Sequence, residues 1–121
     1  MATEEEIRMA AGRAERFRLS LGDAHLSFAK RMITSHVYCG FWLSLPRKFC
    51  ADYLPNHDAK VTLVDEIGVE YETRYLHFQQ GLSSGWRGFS LDHGLLPGDT
   101  CVFQLAGPTI FRVYIFRARD V

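Results

Sequence analysis

"KVTLVDEIGVEYETRYLHF", residues 60–78, decides the fold class: Val69, Tyr71, Thr73 and Tyr75 alternate with Glu70, Glu72 and Arg74. A period of two sends successive side chains to opposite faces, so this is a half-buried strand with a charged outer face. Ile67-Gly68 within "DEIG" supplies the turn of a hairpin, and "VTLV" is its first strand. The same pattern recurs downstream. In "TCVFQLAGPTIFRVYIFR" (100–117), Cys101, Phe103 and Leu105 share one strand face, Phe111, Val113 and Ile115 that of the next, and "AGPT" turns between them.

Upstream, "SFAKRMI" (27–33) and "GFWLSLP" (40–46) are short apolar strands separated by "TSHVYC" (34–39), whose Thr, Ser and His favour a loop. Pro46 suits the first position of a helix, where a missing amide costs nothing. "PRKFCADYL" then sets Phe49, Cys50, Tyr53 and Leu54 on one face and Arg47 and Lys48 on the other, stopped by Pro55. "SLDHGLL" (90–96) is a second helical turn, closed at Pro97-Gly98. Short strands with turns at close intervals and no long crossover helix point to a closed or nearly closed barrel of seven strands and two short helices. No internal repeat is present.

Residues 3–21, "TEEEIRMAAGRAERFRLSL", place acids early, arginines late and a thin apolar face of Ile7, Ala10, Ala11, Ala14 and Phe17, with Thr3 as cap. This is a solvated helix, ended at Gly22. We expect residues 1–24 to be a helical extension and 25–121 the globular domain. The extension either packs on the domain, meets a protein partner, or is the end of a longer chain.

The chain has 121 residues, 47% of them hydrophobic, enough for one core. No run nears the roughly 20 apolar residues of a membrane span, and the N-terminus lacks the apolar centre of a secretory signal. No membrane partner is expected, and Cys39, Cys50 and Cys101, odd in number, are expected to remain thiols.

Enzymatic chemistry finds little support. No Cys-x-x-Cys or His-x-x-x-His pair suggests a metal, and no cofactor is expected. Cys50 and Cys101 fall on apolar faces, Glu70 and Glu72 on a solvated one, and no phosphate-cradling glycine loop occurs. The net charge of zero hides a segregation. Residues 28–49 hold Lys30, Arg31, Arg47 and Lys48 without an acid, and 73–91 hold Arg74, His77 and Arg87 without one. Residues 58–72 carry Asp58, Asp65, Glu66, Glu70 and Glu72 against Lys60 alone. If the two basic segments meet, a local positive potential survives the neutral total.

The succession "SFAKRMITSHVYCGFWLSLPRKFCADYLP", "VTLVDEIGVEYETRYL", "LSSGWRGFSLDHGLLPGDTCVFQL" and "FRVYIFR" resembles the plant-specific B3 DNA-binding domain from about Phe28 to Arg117. A reproductive-meristem-like branch of that family is compatible with it. The resemblance implies a mostly β fold, a seven-stranded open pseudobarrel with two short α-helices, here preceded by the N-terminal helix. It further implies sequence-specific binding of double-stranded DNA in the major groove through two arms, within a nuclear transcription regulator.

By that resemblance the first arm holds Ser35, His36, Val37, Tyr38 and Cys39, and the second holds His77, Gln79, Gln80, Ser83, Ser84 and Arg87. Arginine can pair with guanine O6 and N7 and glutamine with adenine N6 and N7, making Arg87, Gln79 and Gln80 the base readers. Lys30, Arg31, Arg47, Lys48 and Arg74, with Ser35 and Ser84, would position phosphates, assisted by the amides after Pro46. In "LSSGWRGFS" (82–90), Gly85 and Gly88 would let the backbone approach DNA, Trp86 would anchor the arm, and Arg87 would face outward or lie over Trp86. Cys39 stands where many relatives have glycine, and the Tyr38 position varies with target, so the base sequence stays open. Two other classes compete. One is a protein-interaction barrel of the same shape, favoured by the neutral total charge and the uncharged first arm. The other is a nuclease, because some restriction endonucleases carry a similar DNA-reading fold.

Overall fold

A computed structural model describes residues 1–23 and 25–119. Residue 24, at the expected boundary, and residues 120–121 lie outside the described residues. The elements run α1 (Glu4–Ser20), β1 (Ser27–Arg31), α2 (Thr34–Val37), β2 (Leu43–Ser44), α3 (Arg47–Tyr53), β3 (Ala59–Val64), β4 (Glu70–Leu76), β5 (Gly81–Leu82), α4 (Trp86–Asp92), β6 (Thr100–Gly107) and β7 (Ile110–Phe116).

All seven strands form one sheet in the order β1-β6-β7-β3-β4-β5-β2, antiparallel except where β3 runs parallel to β7. Curling brings its two edges together, and the Lys30 ammonium on β1 donates to Ser44 Oγ on β2 at 3.0 Å across the seam. The result is the expected open pseudobarrel. It differs in its helices: "TSHV", read as loop, is the short helix α2, and α4 begins at Trp86 rather than Ser90. Threonine and serine in the first turn suit both a loop and a helix start, so local chemistry left that choice open.

Inside the barrel Phe28, Phe49, Phe103 and Phe111 pack together, Phe28 stacking on Phe103 at 5.1 Å. Trp86, Phe89, Leu43, Leu82 and Tyr75 continue this core toward α4 and the β2–β5 pair. β4 keeps the alternation of its sequence, with Thr73 and Tyr75 buried and Glu70, Glu72 and Arg74 exposed.

α1 is part of this packing. Thr3 and Glu6 close a reciprocal capping box, Thr3 Oγ1 accepting from the Glu6 amide at 3.1 Å. Ala10 and Ala14 are fully buried, and Phe17 lies against Tyr114 (4.6 Å) and Phe116 (5.6 Å) on β7. The helix thereby covers the outer face of β6, which explains why Val102 is as buried as its neighbours Cys101 and Phe103. The apolar face of α1 is spent on its own barrel. Phe17→Ala is expected to lower stability by about 2 kcal/mol, read as a shifted midpoint in urea unfolding; an unchanged midpoint would contradict the packing role.

Candidate nucleic-acid interface

Two acid-free segments meet at the β2–β5 pair. Leu43 faces Leu82 and Ser44 faces Gly81 in the register, and the Leu45 amide donates to Gln80 O at 2.9 Å. Residues 28–49 and 73–91 are thereby joined along one edge. Trp42 lies so close over Gly81 that a Cβ there would collide with the indole and come within 2.7 Å of Leu43 O. Glycine is the residue this contact tolerates.

A second tie is made by the fully buried Trp86, whose Nε1 donates to His36 O at 2.8 Å. It fastens α4 to α2, the helix at the root of the first arm. Gly85 adopts φ +90°, and a Cβ would overlap Glu72 O and sit 2.9 Å from Thr73 Cα. Gly85 thus serves the approach of α4 to β4 within the fold, not the approach to DNA expected from the sequence. Gly88 has a helical backbone and open space around it.

These ties shape an open cleft of ≈ 570 Å³ lined by Tyr38, Gly40, Phe41, Trp42, Ser83, Ser84 and Arg87. Side chains from both expected arms face it. Arg87 lies over the Phe41 ring, 5.3 Å from its centroid, and not over Trp86, which is enclosed in the core. Phe41 (φ 47°) and Gln80 (φ 53°) are the two non-glycine residues with left-handed backbones among the described residues, and they precede β2 and β5. Each conformation costs about 1–2 kcal/mol. Such strain clusters where a structure holds a functional shape.

The other expected residues divide by location. Ser35 and Tyr38 are exposed on the first arm. His36 is a correction: it is buried, and its Nδ1 accepts from the Ile33 amide at 3.2 Å, so its ring braces α2 and cannot reach a base. Burial and the Lys30 cation lower its pKa, in keeping with a neutral ring that presents a lone pair at Nδ1. Lys30 is likewise half-buried and committed to the seam through Ser44, with its pKa lowered by burial, and so is not a free phosphate contact.

Arg31, Arg47, Lys48, Arg74 and Arg87 are exposed. Lys48 bonds Asp52 at 2.9 Å one turn on, and Arg74 stands 3.9 Å from Asp58, both pairs in solvent. Solvated pairs of this kind exchange readily for other anions. Arg74 is opposite Lys60 in the β3–β4 register, and Ser84 connects this pair to the arm cleft by lining both. Ser83 is half-buried, its Oγ donating to Arg74 O at 3.3 Å. At the end of β4 the His77 amide donates to Asp58 Oδ1 at 2.8 Å, and Gln79 is exposed on the turn that follows.

Of the acids in residues 58–72, Asp65, Glu66 and Glu70 gather at the opposite end of the β3–β4 hairpin, whereas Asp58 stands at the arm end beside Arg74 and His77. Asp65 accepts the Val69 and Ile67 amides and pairs with His93 at 3.0 Å. Sequence reading missed Phe41, Trp42 and Lys60 as residues of this surface. The left-handed Gly40 next to an aromatic pair was the available signal for the first two; Lys60 was hidden by its acidic neighbours.

The comparisons agree with this architecture. The family model for the B3 DNA binding domain matches residues 28–119. A rice (Oryza sativa subsp. japonica) B3 domain-containing protein, Os03g0184500, is 53% identical over 123 residues, covering 98% of this chain and 52% of the relative. The chain thus spans about half the length of that curated relative. Among solved structures, the hypothetical Arabidopsis thaliana protein At1g16640.1 has a TM-score of 0.65 at 25% identity, over 76% of this chain and 90% of the other. The Arabidopsis FUS3-DNA complex shares the fold with a TM-score of 0.56 at 21% identity, over 76% of this chain and 97% of the other. With seven strands in pseudobarrel order, two joined basic segments and a family match over most of its length, this chain belongs to the B3 DNA binding domain family.

Proposed function

We propose that the chain reads double-stranded DNA sequence-selectively in the major groove, as the DNA-contacting module of a nuclear plant transcription regulator. The observation that carries this reading is the junction of the two acid-free segments at the β2–β5 pair, with Arg87 held over Phe41 at the cleft between the arms. A relative of the same fold is described in complex with DNA, which supports the choice of ligand.

Roles follow from exposure and donor geometry. Arg87, Gln79 and Gln80 read bases, because a guanidinium matches guanine O6 and N7 and a carboxamide matches adenine N6 and N7. Arg31, Arg47, Lys48 and Arg74, with Ser35 and Ser84, hold phosphates and set the register. Stacking on Phe41 limits the rotamers of Arg87 before binding, which lowers the entropy lost on contact.

Duplexes selected from a random pool test the division of labour. With four exposed cations engaged on phosphates, the logarithm of affinity is expected to fall with the logarithm of salt at a slope of about −4. Arg87→Ala should cost about tenfold on the preferred duplex and relax selection at one base pair, whereas Lys48→Ala should weaken all duplexes alike and flatten the slope by about one. Equal, sequence-blind losses from both changes would contradict these roles. The alternative, a protein-interaction barrel, is favoured by a cleft of ≈ 660 Å³ beside the first arm, where Met32, Ile33, Leu96, Pro97 and Ala118 face one another. Duplex binding that is indifferent to salt would turn the assignment toward it.

A further inference from the structure

Phe78 is 91% exposed at the tip of the second arm, an apolar ring left in water. A single exposed aromatic is ordinary on a protein surface. This one is held out by a built turn. The Gln80 amide donates to His77 O at 3.2 Å, the His77 amide is tied to Asp58, Gln80 takes a left-handed backbone, and the His77 ring backs Phe78 at 5.3 Å. The turn is anchored through Gln80 O to Leu45, two residues before the helix that carries Arg47 and Lys48. An apolar ring next to two glutamines, on a cation-flanked arm, has one natural counterpart in a major groove.

That counterpart is an A·T pair. Its groove edge presents adenine N7 and N6 for a carboxamide, and beside them the thymine 5-methyl, the apolar group of the groove. We propose that Phe78 is a further specificity-determining residue, making apolar contact with a thymine 5-methyl while Gln79 or Gln80 pairs with adenine in the same or the adjacent step. This rests on the DNA-reading function proposed above. Ile67 provides an internal control: it is 85% exposed at the other end of the hairpin, inside the acidic turn, where no duplex would approach.

The experiment starts from duplexes selected by the wild-type chain, with each thymine of the site replaced in turn by 2′-deoxyuridine, which keeps pairing and lacks only the methyl group. Affinities are read by fluorescence anisotropy at fixed salt, and folding of every variant by circular dichroism. The wild type is expected to lose about fourfold at one or two thymines, the loss of one buried methyl contact. Phe78→Ala should bind the thymine duplex at least fourfold more weakly and show no further loss with deoxyuridine at those positions, while Ile67→Ala matches the wild type throughout. The inference is overturned if Phe78→Ala binds like the wild type, if it keeps the deoxyuridine penalty, or if the wild type is insensitive at every thymine. A wild-type chain that selects no duplex at all would instead overturn the DNA-reading function itself.

Discussion

Trp86→Ala is expected to remove about 3–5 kcal/mol of folding free energy, the range for deleting a large aromatic side chain from a packed core. Domains of this size are stable by only about 5–15 kcal/mol, so the variant should be largely unfolded at moderate denaturant. The indole is fully buried, stacked on Phe89 at 5.5 Å and set against Phe103 at 6.4 Å, so little around it can collapse into the space. Trp86→Phe separates packing from hydrogen bonding. It keeps most of the ring but leaves His36 O without its donor, a cost of about 1–3 kcal/mol. Because that bond fastens α2 to α4, Trp86→Phe should also weaken duplex binding under conditions where the protein remains folded. Urea titration followed by circular dichroism and anisotropy reads both effects. An alanine variant within 1 kcal/mol of wild type would mean that the two helices are held by something else.

The two glycines flanking Trp86-Arg87 should respond with opposite signs. Gly85→Ala imposes a left-handed backbone on a residue with a side chain and drives a Cβ into Glu72 O, which belongs to a paired strand and cannot yield cheaply. Conformational penalty and overpacking together are expected to destabilise by about 2–5 kcal/mol. Gly88→Ala places a methyl group in open space on a helical backbone and should stabilise by about 0.5–1 kcal/mol. Thermal unfolding of the two variants side by side decides the matter. Similar shifts from both would show that neither the left-handed backbone nor the contact with β4 governs the site.

The acid turn and the second arm sit at opposite ends of the same hairpin, and this spacing bears on the puzzle of a neutral chain in a DNA-binding family. Glu70 and Glu72 lie toward the turn while Arg74 and His77 lie toward the arm. Charge is divided along β4 so that its basic end lies on the side of the proposed DNA-contacting surface, and repulsion from the acids at the turn is screened over roughly 10 Å in ordinary salt.

Much was readable because it is written in neighbours a few residues apart. Alternation in 71–75 and in 101–115 determined strands and their inner faces, although Val69, expected on the same face, is exposed ahead of β4; Thr3 marked the start of α1; Pro46 and Pro55 bounded α3; and the order of short motifs pointed to the family. What only the tertiary structure decided depends on residues far apart in the chain. Trp86 meets His36 across 50 positions, Lys30 meets Ser44 across the barrel seam, Gly85 meets the backbone of Glu72, and α1 folds back over β6 and β7. Those meetings turned His36 and Lys30 from expected DNA contacts into supports, and laid Arg87 on Phe41 instead of Trp86. The physical reason is that periodicity and caps act through local backbone geometry, whereas a side chain's partner is set by how the sheet curls and closes, which no short window of residues contains.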